Sequence, residues 1–309
     1  MSPAPAGATV VVLTAVAVVG VSASGPLMAA IAAPALVIAF WRNAAATAVL
    51  APFALARAQD TQGLRWADVR GTVFAGLMLA VHFAAWVSAL KLTTVAAATA
   101  LTCTQLVWVV LIDRLRGRVV PAAVLAGCAV AVAGVLVISG VDFSVSPRAL
   151  LGDALAVLGG LGAALYLVAG ESARARLSTT HYTTLCYGTC AAVLALACVL
   201  TGTALTGYPL QVWLGLAAVT VSAQLLGHSL LNHLLVVMSP TVISLVLLLE
   251  VPGAALLAAA FLGQSPPWGV YAGLVLVLSG LAVVVRSRGR TEVPLEPASV
   301  PAPQTGHAS

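Results

Sequence analysis

Charge is what this sequence has least of. Fourteen Lys/Arg and nine Asp/Glu make up 7% of its 309 residues, while 61% are hydrophobic. A water-facing fold of this length carries roughly a quarter of its residues as charges, so a soluble globular enzyme is excluded. Metal-ligand spacing and a disulfide framework are missing too. Cys103, Cys128, Cys186, Cys190 and Cys198 all fall inside apolar runs and read as small buried residues. The first residues, MSPAPAGATVVVL, lack the basic start of a signal peptide, so the run after them reads as a first span. There is no H-E-x-x-H, no G-x-S-x-G and no nucleotide-binding loop. The net charge of +5 sits in loops beside apolar segments and is no nucleic-acid signal.

What is present is apolar sequence in runs of about twenty residues, the length a helix needs to cross roughly 30 Å of hydrocarbon. Outer-membrane strands would be shorter and would alternate apolar with polar. The runs predict helices at about 9–24, 35–55, 71–90, 93–112, 122–140, 151–171, 180–202, 211–236, 241–262 and 269–286. The expected fold is an all-α integral membrane protein with ten transmembrane helices. A Pro-, Ser- and Ala-rich tail follows and is expected to be a disordered cytoplasmic segment over 291–309.

The chain repeats itself at a separation near 146 residues. His82-Phe-Ala-Ala-Trp86 aligns with His228-Ser-Leu-Leu-Asn232, and Gly127 with Gly134 aligns with Gly273 with Gly280. Two five-helix halves follow, 1–146 and 147–290. Five is odd, so the second half enters the membrane inverted, a recurring plan of secondary transporters. The paired glycines and Gly269-x-x-x-Gly273 predict close helix packing.

These residues resemble a family. HFAAWVSALKLTTVAAATALTCTQLVWVVL (His82 to Leu111), GDALAVLGGLGAALYLVAG (Gly152 to Gly170) and GHSLLNHLLVVMSPTVISLVLLLEVPGAALLAAAFLG (Gly227 to Gly263) look like the EamA-type branch of the drug/metabolite transporter superfamily. The resemblance implies a ten-helix permease with a cavity between its halves, exporting amino acids or other small metabolites. Where the family commonly ends spans four and nine with Gly-Glu, this chain has Gly117-Arg118 and Gly263-Gln264.

An ionisable side chain in hydrocarbon costs about 2.5–3.5 kcal/mol on insertion scales and usually faces the bundle interior or a wet cavity. Glu250 is the one acid near a helix centre, and Pro252 beside it interrupts the backbone bonding. They are candidates for proton coupling or gating. Arg42, nearer the end of span two, is a third: it either snorkels to the outer interface or attracts a substrate anion or an ion-pair partner. His82 and His228 occupy equivalent mid-span positions. Trp86 and Asn232 follow each by one turn on the same face. Gln224, His228 and Asn232 form a polar stripe along span eight. With Gln105, Trp108 and Tyr166 these are the candidate substrate-binding residues. His233 is expected on another face, and Asp153 and Glu171 near span ends, where solvent accounts for them.

The expected activity is secondary transport by alternating access, with export of a small polar metabolite, amino-acid-like or drug-like, and coupling to protons. The alternatives are an intramembrane lipid-modifying enzyme, which lacks its nucleophile–base pair or metal set here, and a non-transporting assembly subunit, for which a polar stripe has no use. No catalytic residue, cofactor or metal is expected. The expected partners are a small-molecule substrate and the bilayer, with no nucleic acid, in a monomer or homodimer. Eleven of the fourteen basic residues fall on one side of ten spans, and Lys91 and Arg148 on the other. Cytoplasmic loops carry the excess of Lys and Arg, so both termini should be cytoplasmic in a plasma-membrane protein. Reporters fused after Ser309 check this: a green fluorescent protein should glow and an alkaline phosphatase should stay inactive. An active phosphatase would reverse the orientation.

Overall fold

The computed structural model describes residues 7–57 and 66–288. The tail expected to be disordered lies outside them, as does most of the polar loop after span two. Among the described residues all regular structure is helical. Eight helices are long and apolar enough to cross a membrane: α1 Gly7–Ala30, α2 Ala35–Ala56, α3 Trp66–Ala89, α4 Val95–Leu115, α6 Pro147–Arg174, α7 Thr179–Leu200, α8 Leu210–Leu234 and α9 Pro240–Leu262. Two more helices, α5 Ala122–Val145 and α10 Trp268–Arg288, contain the shorter apolar stretches Ala122–Gly134 and Trp268–Gly280.

The outer faces carry large exposed apolar side chains, among them Val19, Phe53, Leu136, Leu196, Leu214, Leu256 and Phe261. On a membrane helix these meet lipid. Trp66 and Trp268, both exposed, stand at helix ends, where an amphipathic indole suits the headgroup level. The inner faces are built for close approach. A Cβ on Gly76 would lie 2.6 Å from the Cys186 carbonyl oxygen, and one on Gly162 would lie 2.9 Å from the His82 nitrogen. Gly280 packs directly on the Gly127 carbonyl, joining α10 to α5 at two of the repeat's matched glycines.

Several helices are not continuous. In α4 the α-helix stops at Thr102 and restarts at Gln105. In α9 a 3-10 turn at Leu247–Leu249 separates Pro240–Val246 from Glu250–Leu262, just before Pro252, which has no N–H to give. In α8 a π-helical stretch runs over Thr220–His228. Gly117 and Gly263, left-handed at φ 78° and 63°, follow the ends of α4 and α9, a conformation that only glycine adopts cheaply. The residue after each now bonds across the bundle. Arg118 pairs with Asp113 at 3.0 Å and Glu171 at 3.6 Å, and Gln264 Oε1 accepts from the Val95 N–H at 3.0 Å.

At the end of the bundle holding Gln264, Lys91 caps the last turn of α1. Its Nζ donates to the carbonyls of Met28, Ala29 and Ile31 at 2.9, 3.2 and 2.7 Å, where the helix presents unbonded oxygens. Burial pulls this ammonium below the usual lysine range. Asp153, expected to be solvated, is only 2% exposed. The Leu92–Thr93 turn packs on the neighbouring Gly152, 3.0 Å from where its Cβ would stand, and closes this end of α6.

Glycine packing predicts a contrast within α3. Gly76→Ala inserts a methyl into backbone and should destabilise by about 1–3 kcal/mol. Gly71→Ala meets nothing within 4 Å and should gain roughly 0.5–1 kcal/mol of helix propensity. Thermal unfolding in detergent reads both; a Gly76→Ala protein as stable as Gly71→Ala would refute the packing argument.

Candidate functional site

The interruptions in α4 and α9 face each other. Cys103 Sγ donates to the Leu247 carbonyl at 3.6 Å, tying one broken helix to the other. Beside this contact lies a cavity whose polar wall comprises His82, Trp86, Thr99, Gln105, Tyr166, His228 and Glu250. About 40 Å3 is open to the centres of water molecules, room for a few waters. A metabolite would need the helices to part.

His82 is held in one tautomer: its Nδ1 donates to the Gly159 carbonyl at 2.9 Å, which leaves Nε2 free to accept. Its ring stacks on Trp86 at 5.5 Å between centroids. The His228 ring lies 6.3 Å away and 6.4 Å from Tyr166. The two histidines matched by the repeat thus come together. Trp86 Nε1 and Thr99 Oγ1 are buried without a hydrogen-bond partner in the described residues, which leaves two unused polar groups at the wall. Glu250 is 8% exposed, and its carboxyl has no hydrogen-bond partner among the described residues.

Five expected residues lie off the cavity, Arg42 among them. Asn232 sits behind the cavity, fully buried. Its Oδ1 accepts from the Tyr166 hydroxyl and its Nδ2 donates to Tyr187 Oη at 3.2 Å, so it positions Tyr166. Gln224 leaves the stripe because the π-helical turn admits an extra residue and changes the helical phase. The amide faces α2, and its backbone carbonyl accepts from Ser229 Oγ at 3.0 Å. Trp108 is about 60° round the helix from Gln105 and packs on Val109, Ala164 and Val168 instead. Pro252, two residues beyond Glu250 and about 200° round, is exposed on the outer surface. His233 is on another face, its Nδ1 3.0 Å from Thr179 Oγ1.

Arg42 does not snorkel. It is fully buried, with Nε donating to Gln224 Oε1 at 2.8 Å. The sequence reading also missed Tyr187, whose hydroxyl joins Asn232 and Ser229, and the Thr99, Thr102 and Cys103 group beside the break in α4. Tyr187, a hydroxyl near the middle of an apolar run, was the available signal.

No curated protein matches this chain. One solved structure, described only as a protein crystal structure, superposes with a TM-score of 0.65 over 91% of this chain and 99% of its own, at 20% identity. That likeness shows a shared fold. The model of the EamA-like transporter family matches twice in succession, over residues 7–140 and 150–286. The chain therefore belongs to the EamA-like transporter family, membrane transporters of the drug/metabolite transporter superfamily.

Proposed function

We propose that this protein exports a small polar metabolite, amino-acid-like or drug-like, across the plasma membrane by alternating access, with proton coupling. All ten helices cross the bilayer, both termini are cytoplasmic, and the halves 1–146 and 147–290 are inverted repeats. The observation that carries this reading is the cavity where the broken helices α4 and α9, one from each half, meet. Irregular backbone at membrane depth is tolerated where it lines a cavity or is buried in protein, and broken helices frame the midplane sites of many transporters.

The packing supports two related halves. If each helix is exchanged with its counterpart five places on, the contact of α3 with α6 becomes that of α8 with α1. The contact of α4 with α6 becomes that of α9 with α1. Those of α2 with α7, α4 with α9 and α5 with α10 map onto themselves. All these pairs are in contact. The breaks near Cys103 and Leu249 are themselves 146 residues apart.

In this reading His82, Trp86, Gln105, Tyr166 and His228 hold the substrate, Asn232 orients Tyr166, and Glu250 carries the proton. A carboxyl facing a closed cavity can gain or lose its proton when the cavity opens to water on one side. Thermal-shift screening of amino acids and related metabolites, then flux of the stabilising compounds in proteoliposomes, tests this. Saturable flux should respond to a pH gradient. Glu250→Gln should remove that response while binding persists. An unchanged response would take Glu250 out of the coupling; no flux of any stabilising compound would refute transport.

A further inference from the structure

Two buried arginines among the described residues have only neutral hydrogen-bond partners: Arg174, which uses Nε, Nη1 and Nη2 on Asn232, Leu177 and Thr179, and Arg42, which leaves Nη2 unused. Besides its bond to Gln224, Arg42 donates from Nη1 to Ser24 Oγ at 3.3 Å and to Met28 Sδ at 3.2 Å. Its Cζ lies 4.1 Å from the centroid of the Phe83 ring. Gln224 Nε2 donates to Asn43 Oδ1 at 3.1 Å, which turns the amide oxygen toward the guanidinium. Nη2 has no hydrogen-bond partner among the described residues. The ion pairs found there involve other groups: Asp113 and Glu171 with Arg118, and Asp68 with Arg176.

A guanidinium cannot be deprotonated in a protein. Arg42 is therefore a fixed positive charge at membrane depth with two N–H bonds unused. Its neighbours hold it firmly, through one good bond to an amide that is itself anchored and through the face of an aromatic ring. None of them neutralises it. The position matters as much as the charge. Phe83 lies 4.7 Å from the His82 ring and 5.3 Å from the His228 ring, both in the cavity wall. Arg42 thus stands one ring behind the wall and within electrostatic reach of His82, His228 and Glu250.

We propose that Arg42 receives the anionic group of the transported molecule, and that the substrate is a small organic carboxylate. The inference rests on the transporter reading above. Nη2 supplies one arm of a two-point contact. Nη1 supplies the other by giving up its long bond to Ser24 and its weak one to Met28. Paired N–H donors in one plane match a carboxylate better than a halide or a neutral amide. Trp86, Tyr166 and the histidine rings then meet the organic body.

Equilibrium binding to the purified full-length protein tests this with phenylacetate, isovalerate and the neutral amide of each, read by thermal shift and titration. At least one acid should stabilise the protein while its amide does not. Arg42→Gln should weaken that acid about ten- to a hundredfold, and Arg42→Lys should restore part of it. Gln224→Glu is isosteric, gives up only the bond to Asn43, and covers the case in which Arg42→Gln fails to fold. An internal carboxylate beside Nε should raise thermal stability and abolish acid binding, whereas a purely structural Arg42 would gain stability and lose no binding. Amides that bind as well as acids, no stabilisation by either acid, or unchanged affinity in Gln224→Glu would overturn the proposal. Flux of neutral or cationic compounds without acid binding would overturn it and leave transport standing. Acid binding without flux of any compound would do the reverse.

Discussion

A polar group in hydrocarbon must find its partner inside the protein, and the rest of this structure follows from that constraint. Unbroken helices meet it along their own axes. Where the helices break, other groups take over. Thr104 Oγ1 donates to the Leu101 carbonyl at 2.6 Å, Cys103 reaches across to Leu247, and Ser229 serves the carbonyl of Gln224. Tyr166, Asn232, Tyr187 and Ser229 close a chain of side-chain bonds behind the cavity. The backbone is irregular around this centre, and the polar side chains collect there for the same reason.

How much of this was legible in the sequence depended on the length scale. An apolar run of twenty residues is a strong signal because the bilayer sets its length, so the helix positions come out close to the expected ones. The pairing of His82 with His228 was legible as well, because one offset matched histidines and glycines together. Rotation about a helix axis was not. Gln224 faces α2 because nine residues of α8 take the wider π turn, and no residue type announces such a turn. Trp108 falls near the edge of the cavity face, where about 60° decides between cavity and core. Arg42 was misplaced for a different reason. Distance from the helix end suggested an interface. The short second half of α1, with Ser24 and Met28, covers the guanidinium from above, and Lys91 fastens that segment down.

Symmetry and asymmetry divide the labour in the molecule. Contacts between helices respect the exchange of halves, because packing depends on shape and the halves share their glycines. The chemistry at equivalent places does not. Thr104 in α4 corresponds to Glu250 in α9, so only one half brings an acid to the cavity, and α7 has no Lys or Arg to answer Arg42 in α2. Duplicated acids facing one another across a small cavity would repel when ionised. With Glu250 as the one carboxyl in its lining, the cavity avoids that repulsion.

The two ends of the bundle show the same division, and it bears on how a cycle could run. At one end Arg118, Asp113 and Glu171 form a charged cluster with a half-exposed arginine. At the other, Gln264 accepts from Val95 and Trp41 Nε1 donates to the Leu205 carbonyl at 2.7 Å. Arg118 and Gln264 are counterparts in the repeat, each placed by a left-handed glycine. Exposed ion pairs contribute roughly 0–1 kcal/mol, and neutral hydrogen bonds about 0.5–1.5 kcal/mol each. Unlike chemistries therefore give closures of similar strength. Alternating access requires that neither end be locked much more tightly than the other, because the tighter end would hold the protein in one state. A symmetric charged cluster at both ends would also balance. The neutral version adds no further arginine at the end that already holds Lys91, and an imbalance of basic residues between the two sides is what orients helices in a membrane.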